Sequence, residues 1–431
     1  MHLLPILQPG HSRLRSVFLR VYRLVVLIAI LWMIRIHAAR MRIDTDAPIR
    51  VDEARVFFPQ AAALDTDTSD RLGLFVRDLR GRTIGYVLRT SPLCDKIVGY
   101  SGPTDTLIAL DPAMKVVGIR VRSSADTKQH VADVRNDEYF MSLWTDKSWD
   151  EVAGMEPQKA RIEGVSGASL TSLCIANSIQ QRFKLVAQGA VHPPPPRWHA
   201  PDYMLTTIIA VACVFTFTHL RGRSWLRRAF QLVLVAYVGM VSGQMLSQSQ
   251  LAGWAASAVP WRIAPGMAVL AAAALLVPWS TRRPVYCSHV CPHGAAQEWV
   301  GRLSPWRARI PGGLHSALRW LPPGLLALVL AITLLNLPFD AAGIEPFDAY
   351  LVRTAGPATI AVALAGLFVS LFVPMAYCKY GCPTGSLLNF VRFHGAADHF
   401  SRRDLVAAGF LLLAYLLQSV IYARVHQWIF R

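Results

Sequence analysis

Long apolar stretches alternate with short polar segments over most of the chain, and one long mixed stretch interrupts them. A helix that crosses a lipid bilayer needs about 20 predominantly apolar residues. Seven stretches approach this length: residues 22–38, 202–219, 229–247, 263–279, 322–338, 357–375 and 404–422. We therefore expect an N-terminal span within residues 1–39 and an all-α polytopic membrane domain over residues 201–431.

The first apolar stretch follows four arginines between residues 13 and 23. This pattern is typical of an uncleaved signal anchor or of a signal peptide cut near Ala39. Arg35 and the bulky residues before Ala38 make a poor cleavage site, so we favour the anchor.

The mixed stretch, residues 40–200, has the length of one domain. Several runs in it alternate or are apolar in the manner of β-strands: RLGLFVRDL, TIGYVLRT, TLIALD and VVGIRVRS. The segment SLTSLCIANSIQQRF is typical of a helix, with Leu173, Ala176, Ile179, Gln180 and Phe183 along one face. The pattern predicts an α+β domain joined to the membrane domain.

Composition and charge support a membrane protein. Of 431 residues, 53% are hydrophobic and only 16% are charged, which excludes an ordinary soluble globule. The net charge is +17, yet residues 40–200 hold 21 basic and 20 acidic side chains and are nearly neutral. The remaining 23 basic residues face 7 acidic ones and lie between the apolar stretches. This distribution argues against a nucleic-acid partner.

The basic residues also predict an orientation, because cytoplasmic loops carry an excess of lysine and arginine. Basic residues concentrate in the segments 220–228, 280–321 and 376–403, which we expect to be cytoplasmic. The α+β domain is then extracytoplasmic. We expect a multi-pass protein of the bacterial inner membrane with a large periplasmic domain.

Two cysteine motifs repeat at the predicted cytoplasmic face. Both have the form Y-C-x-x-x-C-P-x-G and follow an apolar stretch; their cysteines are Cys287 and Cys291 in the first, Cys378 and Cys382 in the second. Cytoplasmic thiols stay reduced, and four thiolates suit a [4Fe–4S] or [2Fe–2S] cluster or zinc. We predict an iron–sulfur cluster and favour [4Fe–4S]. Whether the four cysteines share one cluster stays open, as does a purely structural role.

The residues after each second cysteine have a physical role. A proline disfavours helix at the preceding residue and starts a helix after it. The cysteine then lies at a helix N-terminus, where amides and the dipole favour an anionic thiolate. Gly294 and Gly385 allow close approach of the backbone.

Other metal-binding or redox candidates are weaker. Cys94 and Cys174 are able to form a disulfide outside the cytoplasm, but we interpret them as small buried residues. Histidines near predicted interfaces raise a haem alternative: His219, His289, His293, His394 and His399. No two of them face each other within spans at ligand spacing, so we interpret them as interfacial or loop residues.

A run of small residues precedes the predicted helix of the α+β domain. Its candidate ligand-binding residues are Glu163, Ser166, Gly167, Ala168, Ser169 and Thr171. Small residues permit close approach of a ligand, and a helix start offers unpaired N–H groups to an anion such as phosphate. A threonine hydroxyl in that first turn is also able to carry a phosphoester.

This run resembles the S-G-A-[S/T]-x-T signature of covalent FMN-binding domains, which occur in the sodium-pumping quinone reductase, Rnf complexes and NosR/NirI proteins. The resemblance implies that a flavin transferase joins the FMN phosphate to Thr171. The segments 99–103, which contains Gly102, and 107–111 are similar to elements that pack around such flavins. Residues 123–131 depart from the family's acid-Thr-Pro-Gly loop, with Lys128 in place of proline.

The order of anchor, flavin domain and two C-x-x-x-C-P motifs resembles NosR/NirI proteins, and the membrane half also resembles NapH-type quinol-oxidising subunits. Longer NosR proteins continue into a ferredoxin-like domain whose cysteine clusters do not occur in these 431 residues. The resemblance therefore implies that electron input uses another route or a partner.

The combination of cofactors implies electron transfer between a quinol or cytoplasmic-side donor and a periplasmic acceptor protein. The resemblance to NosR/NirI proteins implies that this transfer supports a periplasmic reductase such as nitrous-oxide reductase in denitrification. Two alternatives remain: a redox-sensing regulator, and an accessory protein for maturation of a metalloenzyme. No substrate pocket or catalytic residue is evident in the sequence.

Overall fold

The computed structural model describes residues 9–45, 47–69, 71–126, 128–155, 165, 168–188, 196, 198–335, 337, 339, 341–351, 355–394 and 398–421. The chain divides into two compact units. The sheet unit contains residues 38–198 and 256–265, and the helical unit contains residues 1–37, 199–255 and 266–431.

The sheet unit is built on five antiparallel strands that follow one another in the order β1-β2-β3-β4-β5. Their bounds are β1 Ala63–Thr66, β2 Leu74–Arg77, β3 Thr83–Arg89, β4 Thr104–Leu110 and β5 Val116–Ser124. The four strands predicted from the apolar runs are β2 to β5. The edge strand β1 was not predicted, because ALDT is short and three of its four side chains are exposed.

Strand β4 is buried along its whole length because both of its faces are covered. Ile108 and Leu110 lie on one face in a core with Tyr86 and Leu88 of β3. On the opposite face a second core is built from the following buried residues: Ala54, Ala61, Val76, Val87, Leu107 and Ala109. A strand buried on both faces is continuously apolar, which explains the run TLIAL.

Five α-helices in the sheet unit follow the N-terminal helix α1 Pro9–Thr45: α2 Val51–Arg55, α3 Lys128–Asn136, α4 Glu138–Ser142, α5 Trp149–Gly154 and α6 Ser169–Gln188. The predicted helix is α6. Its residues Ala176, Ile179 and Phe183 pack on the first face of the sheet, and Ile175 joins them. The α+β prediction is thus confirmed for this unit.

The helical unit contains helices of very different length: α7 Ala200–Phe217, α8 Ser224–Val233, α9 Gln248–Ser257, α10 Pro265–Thr281, α11 Val285–His289, α12 Pro292–Leu303, α13 Gly312–Leu318, α14 Leu321–Leu335, α15 Pro357–Phe372, α16 Ala376–Tyr380, α17 Pro383–Val391 and α18 Arg402–Leu416. Helix α12 packs against α15, and α14 packs against α17 and α18. Shorter 3₁₀ segments occupy His219–Gly222, Ala341–Ile344 and Asp348–Tyr350.

Within the part of the chain that the structure describes, three helical stretches are long and apolar enough to cross a membrane: Arg15–Arg40, Ala200–Phe217 and Gly312–Leu335. They coincide with the predicted spans 22–38, 202–219 and 322–338. Pro265–Thr281 and Pro357–Phe372 are apolar helices of fewer than 18 residues. The first is as long as the predicted span 263–279 but shifted by two residues, and the second is shorter than the predicted span 357–375. In the predicted spans 229–247 and 404–422, α8 and α18 continue as π-helix over Leu234–Val241 and Leu417–Ile421.

A buried ionic network ties α1 to the segment that begins α18. The Arg23 guanidinium is fully buried, donates from Nε to Asp404 Oδ1 at 2.7 Å, and donates from Nη1 to Asp398 Oδ2 at 2.8 Å. Arg403 also pairs with Asp398 at 2.9 Å. Buried charges of this kind are tolerated when each one is paired and hydrogen-bonded.

Candidate cofactor sites

Helix α6 begins in a tight turn that fixes the candidate residue Thr171 in its first turn. The Ala168 N–H donates to the Val165 carbonyl at 2.8 Å, and the Val165 N–H donates to the Ser172 hydroxyl at 3.0 Å. Ser169 Oγ lies 3.4 Å from the same Val165 carbonyl, to which it donates. Thr171 is the third residue of the helix and is fully buried.

The Thr171 hydroxyl points to a carboxylate from a distant part of the chain. Thr171 Oγ1 donates to Asp126 Oδ2 at 2.7 Å. The Tyr100 N–H donates to the same oxygen at 3.0 Å, and the Ser101 N–H donates to Asp126 Oδ1 at 2.8 Å. Two successive backbone N–H groups and one hydroxyl therefore converge on one buried anion. This is the donor arrangement of a backbone nest for anionic oxygens.

Two glycines make this close approach possible. A Cβ atom on Gly99 would lie 2.6 Å from Asp126 Oδ2, and one on Gly102 would lie 2.5 Å from the Ala125 Cβ. The Gly99 N–H closes the turn by donating to the Gly102 carbonyl at 2.9 Å. Gly102, predicted from the sequence, thus allows the turn to enclose the Asp126 segment.

Buried polar atoms beside Asp126 still lack partners. Ser101 Oγ and His130 Nδ1 are buried and have no hydrogen-bond partner among the described residues. The His130 ring packs edge-to-face on the Tyr100 ring, with centroids 4.6 Å apart. Burial lowers the pKa of His130 to about 4, so this imidazole is neutral at pH 7. Buried polar groups without protein partners are available to a ligand, and these suit the polar atoms of FMN.

The structure brings together part of the predicted flavin site. Thr171, Ala168 and Ser169 lie in the first turn of α6 or directly before it, and Gly102 borders Ala125 and Asp126. Glu163, Ser166 and Gly167 lie outside the described residues. Asp126 lies in the segment 123–131 that is compared above with the family's acid-Thr-Pro-Gly loop, but it was not predicted as a site residue, because its contact with Thr171 spans 45 positions.

The two cysteine motifs adopt matching helix starts. Cys291 precedes α12 with Pro292 as its first residue, and its Sγ accepts the Gly294 N–H at 3.5 Å. Cys382 precedes α17 with a proline in the same position, and its Sγ accepts the Gly385 N–H at 3.1 Å. Each second cysteine is therefore an N-cap, as the motif predicts, and an amide N–H points to its sulfur.

The glycine in each motif lies against cysteine atoms. A methyl group on Gly294 would lie 3.3 Å from the Cys287 carbonyl oxygen. A methyl group on Gly385 would lie 3.3 Å from Cys382 Sγ. Both contacts are tight, so glycine leaves room for the thiols and their backbone donors.

Gln297 of α12 connects the first motif to the second. Its Nε2 donates to Cys378 Sγ at 3.2 Å, and its Oε1 accepts the Tyr377 N–H at 3.0 Å. Ser370 Oγ also donates to Oε1 at 3.0 Å. The Gln297 side chain is fully buried. It was not predicted, because only the fold places this amide beside the other motif.

The four thiols influence one another electrostatically. Burial raises the pKa of Cys287 to about 12, and the nearby Cys378 contributes further. Burial also raises the pKa of Cys291, again with a contribution from Cys378. Thiolates that repel one another in a buried site require a cationic partner, and thiolate donors with N–H···S bonds suit iron. Among the described residues, no group of three or more His, Cys, Asp or Glu side chains is arranged to hold a single metal ion.

A buried polar network lies beside the second motif. Thr384 Oγ1 donates to Glu345 Oε1 at 2.5 Å, and the Gln248 N–H donates to Glu345 Oε2. Gln248 Nε2 in turn donates to Thr384 Oγ1 at 3.1 Å. Glu345 is 1% exposed. In the sequence, Glu345 is one of three acidic residues between two apolar stretches, with Asp340 and Asp348.

One cavity adjoins each cysteine motif. A cavity of about 400 Å³ reaches Cys378 and Cys382. Its walls are largely apolar side chains of α1, α14 and α18, including Leu27, Leu330 and Phe410, and Gln248 is among its polar groups. A cavity of about 150 Å³ lies against Cys287 and Cys291, with Arg227, Gln231 and Glu298 in its lining.

The remaining cysteines and histidines have more ordinary surroundings, with one exception. Cys94 and Cys174 are buried free thiols, in agreement with their interpretation as core residues, and burial raises the pKa of Cys94 to about 12. The interpretation of His293 as an interfacial or loop residue was wrong. It is 1% exposed, and its Nδ1 lies 2.9 Å from the Tyr350 hydroxyl. The error arose because His293 follows Pro292 on the inward face of α12.

Comparison with known proteins matches both candidate sites. Residues 99–184 match the family described as FMN-binding domain, and residues 263–311 and 355–402 match the family described as 4Fe-4S binding domain. The first range includes Gly102, Asp126 and Thr171, and the second pair includes all four motif cysteines. No solved structure gives a significant match.

Several curated proteins are similar over part of the chain. The regulatory protein NosR of Pseudomonas aeruginosa is 34% identical over 125 residues, which cover 27% of this chain and 17% of NosR. The protein NirI of Paracoccus denitrificans is 31% identical over 113 residues, which cover 24% of this chain and 16% of NirI. NosR of Stutzerimonas stutzeri is 29% identical over 144 residues, which cover 31% of this chain and 19% of NosR.

The chain therefore spans less than a fifth of the length of these relatives. Its two matched domains nevertheless correspond to the two cofactors predicted from the motifs. The chain combines an FMN-binding domain with a 4Fe–4S binding domain, and in this combination it resembles the NosR/NirI-type flavo-iron–sulfur proteins.

Proposed function

We propose that this protein transfers electrons across the bacterial inner membrane, from a quinol or another cytoplasmic-side donor to a periplasmic acceptor protein. Cys287, Cys291, Cys378 and Cys382 hold a [4Fe–4S] cluster, and Thr171 carries FMN as a phosphoester. The cluster exchanges single electrons and FMN exchanges one or two, so FMN is able to accept the electrons that the cluster passes on one at a time.

The observation that carries the proposal is the pair of matching helix starts at Cys291 and Cys382. In each, a thiol caps a helix and accepts a backbone N–H three residues on. Such N–H···S bonds and the helix dipole stabilise negative charge on a thiolate ligand. The Gln297 amide adds a further donor to Cys378. These groups tune the charge of a bound cluster rather than act on a substrate.

The apolar cavity of about 400 Å³ supports a quinol as the donor. Binding pockets for small apolar molecules are typically 300–1,000 Å³, apolar, and furnished with a few polar groups. This cavity has apolar walls from α1, α14 and α18, and Gln248, Cys378 and Cys382 line it as well. A quinol head group bound there would lie beside two cluster ligands.

A pair of cavity variants tests the donor. Leu330→Trp fills the cavity, since Leu330 lines it. Leu328→Trp adds the same side chain at a position that is 46% exposed, and serves as the control. We expect the first variant to slow reduction of the full-length protein by a short-chain quinol about tenfold or more and the control to leave it unchanged. Equal rates for both variants and wild type would exclude this cavity as the donor site.

The charge distribution and the three candidate membrane helices support an inner-membrane location with the sheet unit in the periplasm. Engineered cysteines test the orientation. Asp65→Cys lies on the exposed edge strand of the sheet unit, and Arg223→Cys lies before α8. A membrane-impermeant maleimide should label only the first in cells with a permeabilised outer membrane. Labelling of only the second would reverse the proposed topology.

Covalent attachment at Thr171 requires a flavin transferase as a maturation partner. The full chain co-produced with such an enzyme should give a flavin-fluorescent band on a denaturing gel. Thr171→Ala should remove the band, and Thr145→Ala, an exposed threonine of the same unit, should keep it. A fluorescent Thr171→Ala band would place the attachment elsewhere.

The downstream role is proposed from the relatives. NosR and NirI connect the chain with denitrification, so a periplasmic reductase such as nitrous-oxide reductase is the acceptor we propose. The name "regulatory protein NosR" favours a redox-sensing regulatory role as a second candidate, and maturation of a metalloenzyme is the other alternative. In a deletion strain, reductase activity restored by a chemical reductant supports electron supply, whereas a reductase that stays inactive and lacks metal supports maturation.

A further inference from the structure

We propose that Asp126 is the general base of flavin attachment: its carboxylate accepts the Thr171 hydroxyl proton when that oxygen forms its bond to phosphorus. This inference rests on the proposed attachment of FMN at Thr171 and adds the chain's own catalytic residue for that modification. The donor we assign is a flavin dinucleotide, in which a nucleoside monophosphate is the leaving group.

Three hydroxyl groups lie in the first turn of α6, and their partners differ. Ser169 Oγ donates to the Val165 carbonyl, and Ser172 Oγ donates to the Ala168 and Ser169 carbonyls. Thr171 Oγ1 is the one hydroxyl of this described turn that donates to a carboxylate. A carboxylate is a far stronger proton acceptor than a peptide carbonyl, so the contact with Asp126 distinguishes Thr171 from its two neighbours.

The contact is also fixed in place. Asp126 Oδ1 accepts the Ser101 N–H, and Oδ2 accepts both the Tyr100 N–H and the Thr171 hydroxyl. The Asp126 N–H donates to Ser124 Oγ at 3.1 Å, at the end of β5. The carboxylate is held on both oxygens, and the 2.7 Å separation of Oδ2 from Thr171 Oγ1 is within the range for direct proton transfer.

The step balances without a redox change. Thr171 Oγ1 forms a bond to the phosphorus that bears the flavin, and the bond between this phosphorus and the bridging oxygen breaks. The hydroxyl proton passes to Asp126 and the nucleoside monophosphate leaves with the electron pair. Once Oγ1 is esterified it no longer donates to Asp126.

The test measures initial rates of flavin attachment to the full-length protein in detergent, with fixed transferase and saturating flavin dinucleotide. The readout is flavin fluorescence of the band on a denaturing gel, at several concentrations of the chain. Asp126→Asn is the main variant and Asp126→Glu retains a carboxylate. Asp105→Asn is the matched control, because Asp105 is a buried carboxylate of the same unit that pairs with Arg89 and Arg122 instead. Thermal unfolding of each variant checks its folding.

General bases contribute about 100-fold or more to rate. We expect Asp126→Asn to lower the maximal rate by about that factor while the chain concentration at half-maximal rate stays the same. Asp126→Glu should recover part of the rate, and Asp105→Asn should remain within about twofold of wild type. Two outcomes would overturn the role of Asp126 and leave attachment at Thr171 intact. One is an Asp126→Asn rate within twofold of wild type, and the other is an equal loss of rate in Asp126→Asn and Asp126→Glu when both variants are folded. Absence of flavin on wild type, with a transferase active on another acceptor, overturns attachment at Thr171 and the inference with it.

Discussion

Each unit has a helix start at its candidate cofactor site, but the contacts at these helix starts differ: they are local in the helical unit and long-range in the sheet unit. In the helical unit the group that faces the first turn is local: Cys291 and Cys382 each accept an N–H from three residues further along the chain. In the sheet unit the partner of the first turn is remote, because Thr171 donates to Asp126, 45 residues earlier. The local arrangement depends on a short motif and the remote one depends on the whole sheet.

This difference predicts that damage to the two units has separate effects. A cysteine variant removes a ligand, whereas the sheet and its hydrogen-bonded loop remain. A variant in the sheet unit that opens the contact between Asp126 and Thr171 leaves both cysteine turns in place.

Removal of one thiol should abolish the cluster and preserve the flavin. Cys382→Ser is expected to eliminate the visible iron–sulfur absorbance, because one of four thiolate ligands is lost. Flavin fluorescence on a denaturing gel should equal that of wild type. Cys213→Ser, a partly buried cysteine of α7, is the control and should retain both signals. Retention of a full cluster signal in Cys382→Ser would refute the ligand assignment.

Loss of the buried guanidinium should destabilise the helical unit. Arg23→Met leaves Asp398 and Asp404 buried without their main cationic partner, which costs about 3–5 kcal/mol. We expect a marked fall in the thermal midpoint of the detergent-solubilised protein. Arg223→Met changes an exposed arginine in the same way and should leave the midpoint unchanged. Similar thermal midpoints for the two variants would show that the ionic network contributes little to the stability of the helical unit.

The sheet unit should become less stable as the pH falls from about 6.5 to 4. Burial lowers the pKa of His130 to about 4, against about 6.5 in the unfolded chain. In this window the unfolded state binds a proton that the folded state does not, so acidification favours unfolding by about 3 kcal/mol.

Hydrogen exchange of peptides from β3 and β4, corrected for the intrinsic effect of pH, measures this change in the full-length protein. His130→Phe keeps an aromatic ring beside Tyr100 and removes the titrating group. This variant should show a smaller loss of protection on acidification. A wild-type loss that persists unchanged in His130→Phe would assign the effect to other groups.

The smallest effect concerns the glycines of the cysteine turns. Alanine is favoured over glycine in a helix by about 1 kcal/mol. Gly409→Ala has open space in α18 and should gain about this much stability. In Gly385→Ala the new methyl group would lie 3.3 Å from Cys382 Sγ. This close contact should cancel the gain in stability and lower the cluster content. A gain of equal size in both variants, with normal cluster content, would show that the turn tolerates a methyl group.

The same contrast between local and remote contacts explains which parts of the fold and of the candidate sites could be predicted from the sequence. The order Cys-Pro-x-Gly predicted the starts of α12 and α17 and the role of their prolines, because every group lies within four residues. Strands β2 to β5 and helix α6 were also readable from their periodicity. The contacts of Asp126 with Thr171 and of Gln297 with Cys378 were not, since each joins segments whose proximity depends on the tertiary fold.

The lengths of the predicted spans were less well predicted for a related reason. Apolar composition indicates where a helix lies but not the residue at which it ends. Pro357–Phe372 ends where Val373 becomes extended, before the Cys378 motif, although the apolar run continues to residue 375. His293 was misjudged in the same way, because burial on the inner side of α12 follows from packing with Tyr350 and Tyr377.

We propose that electrons pass from the cluster to the flavin within one chain. The direct measurement is anaerobic mixing of the full-length, flavin-loaded protein with a quinol, with flavin and iron–sulfur absorbance followed separately. We compare wild type, Cys382→Ser and Thr171→Ala. The account predicts reduction of both chromophores in wild type, no flavin reduction in Cys382→Ser, and reduction of the cluster alone in Thr171→Ala. Flavin reduction by the quinol at the wild-type rate in Cys382→Ser would contradict it.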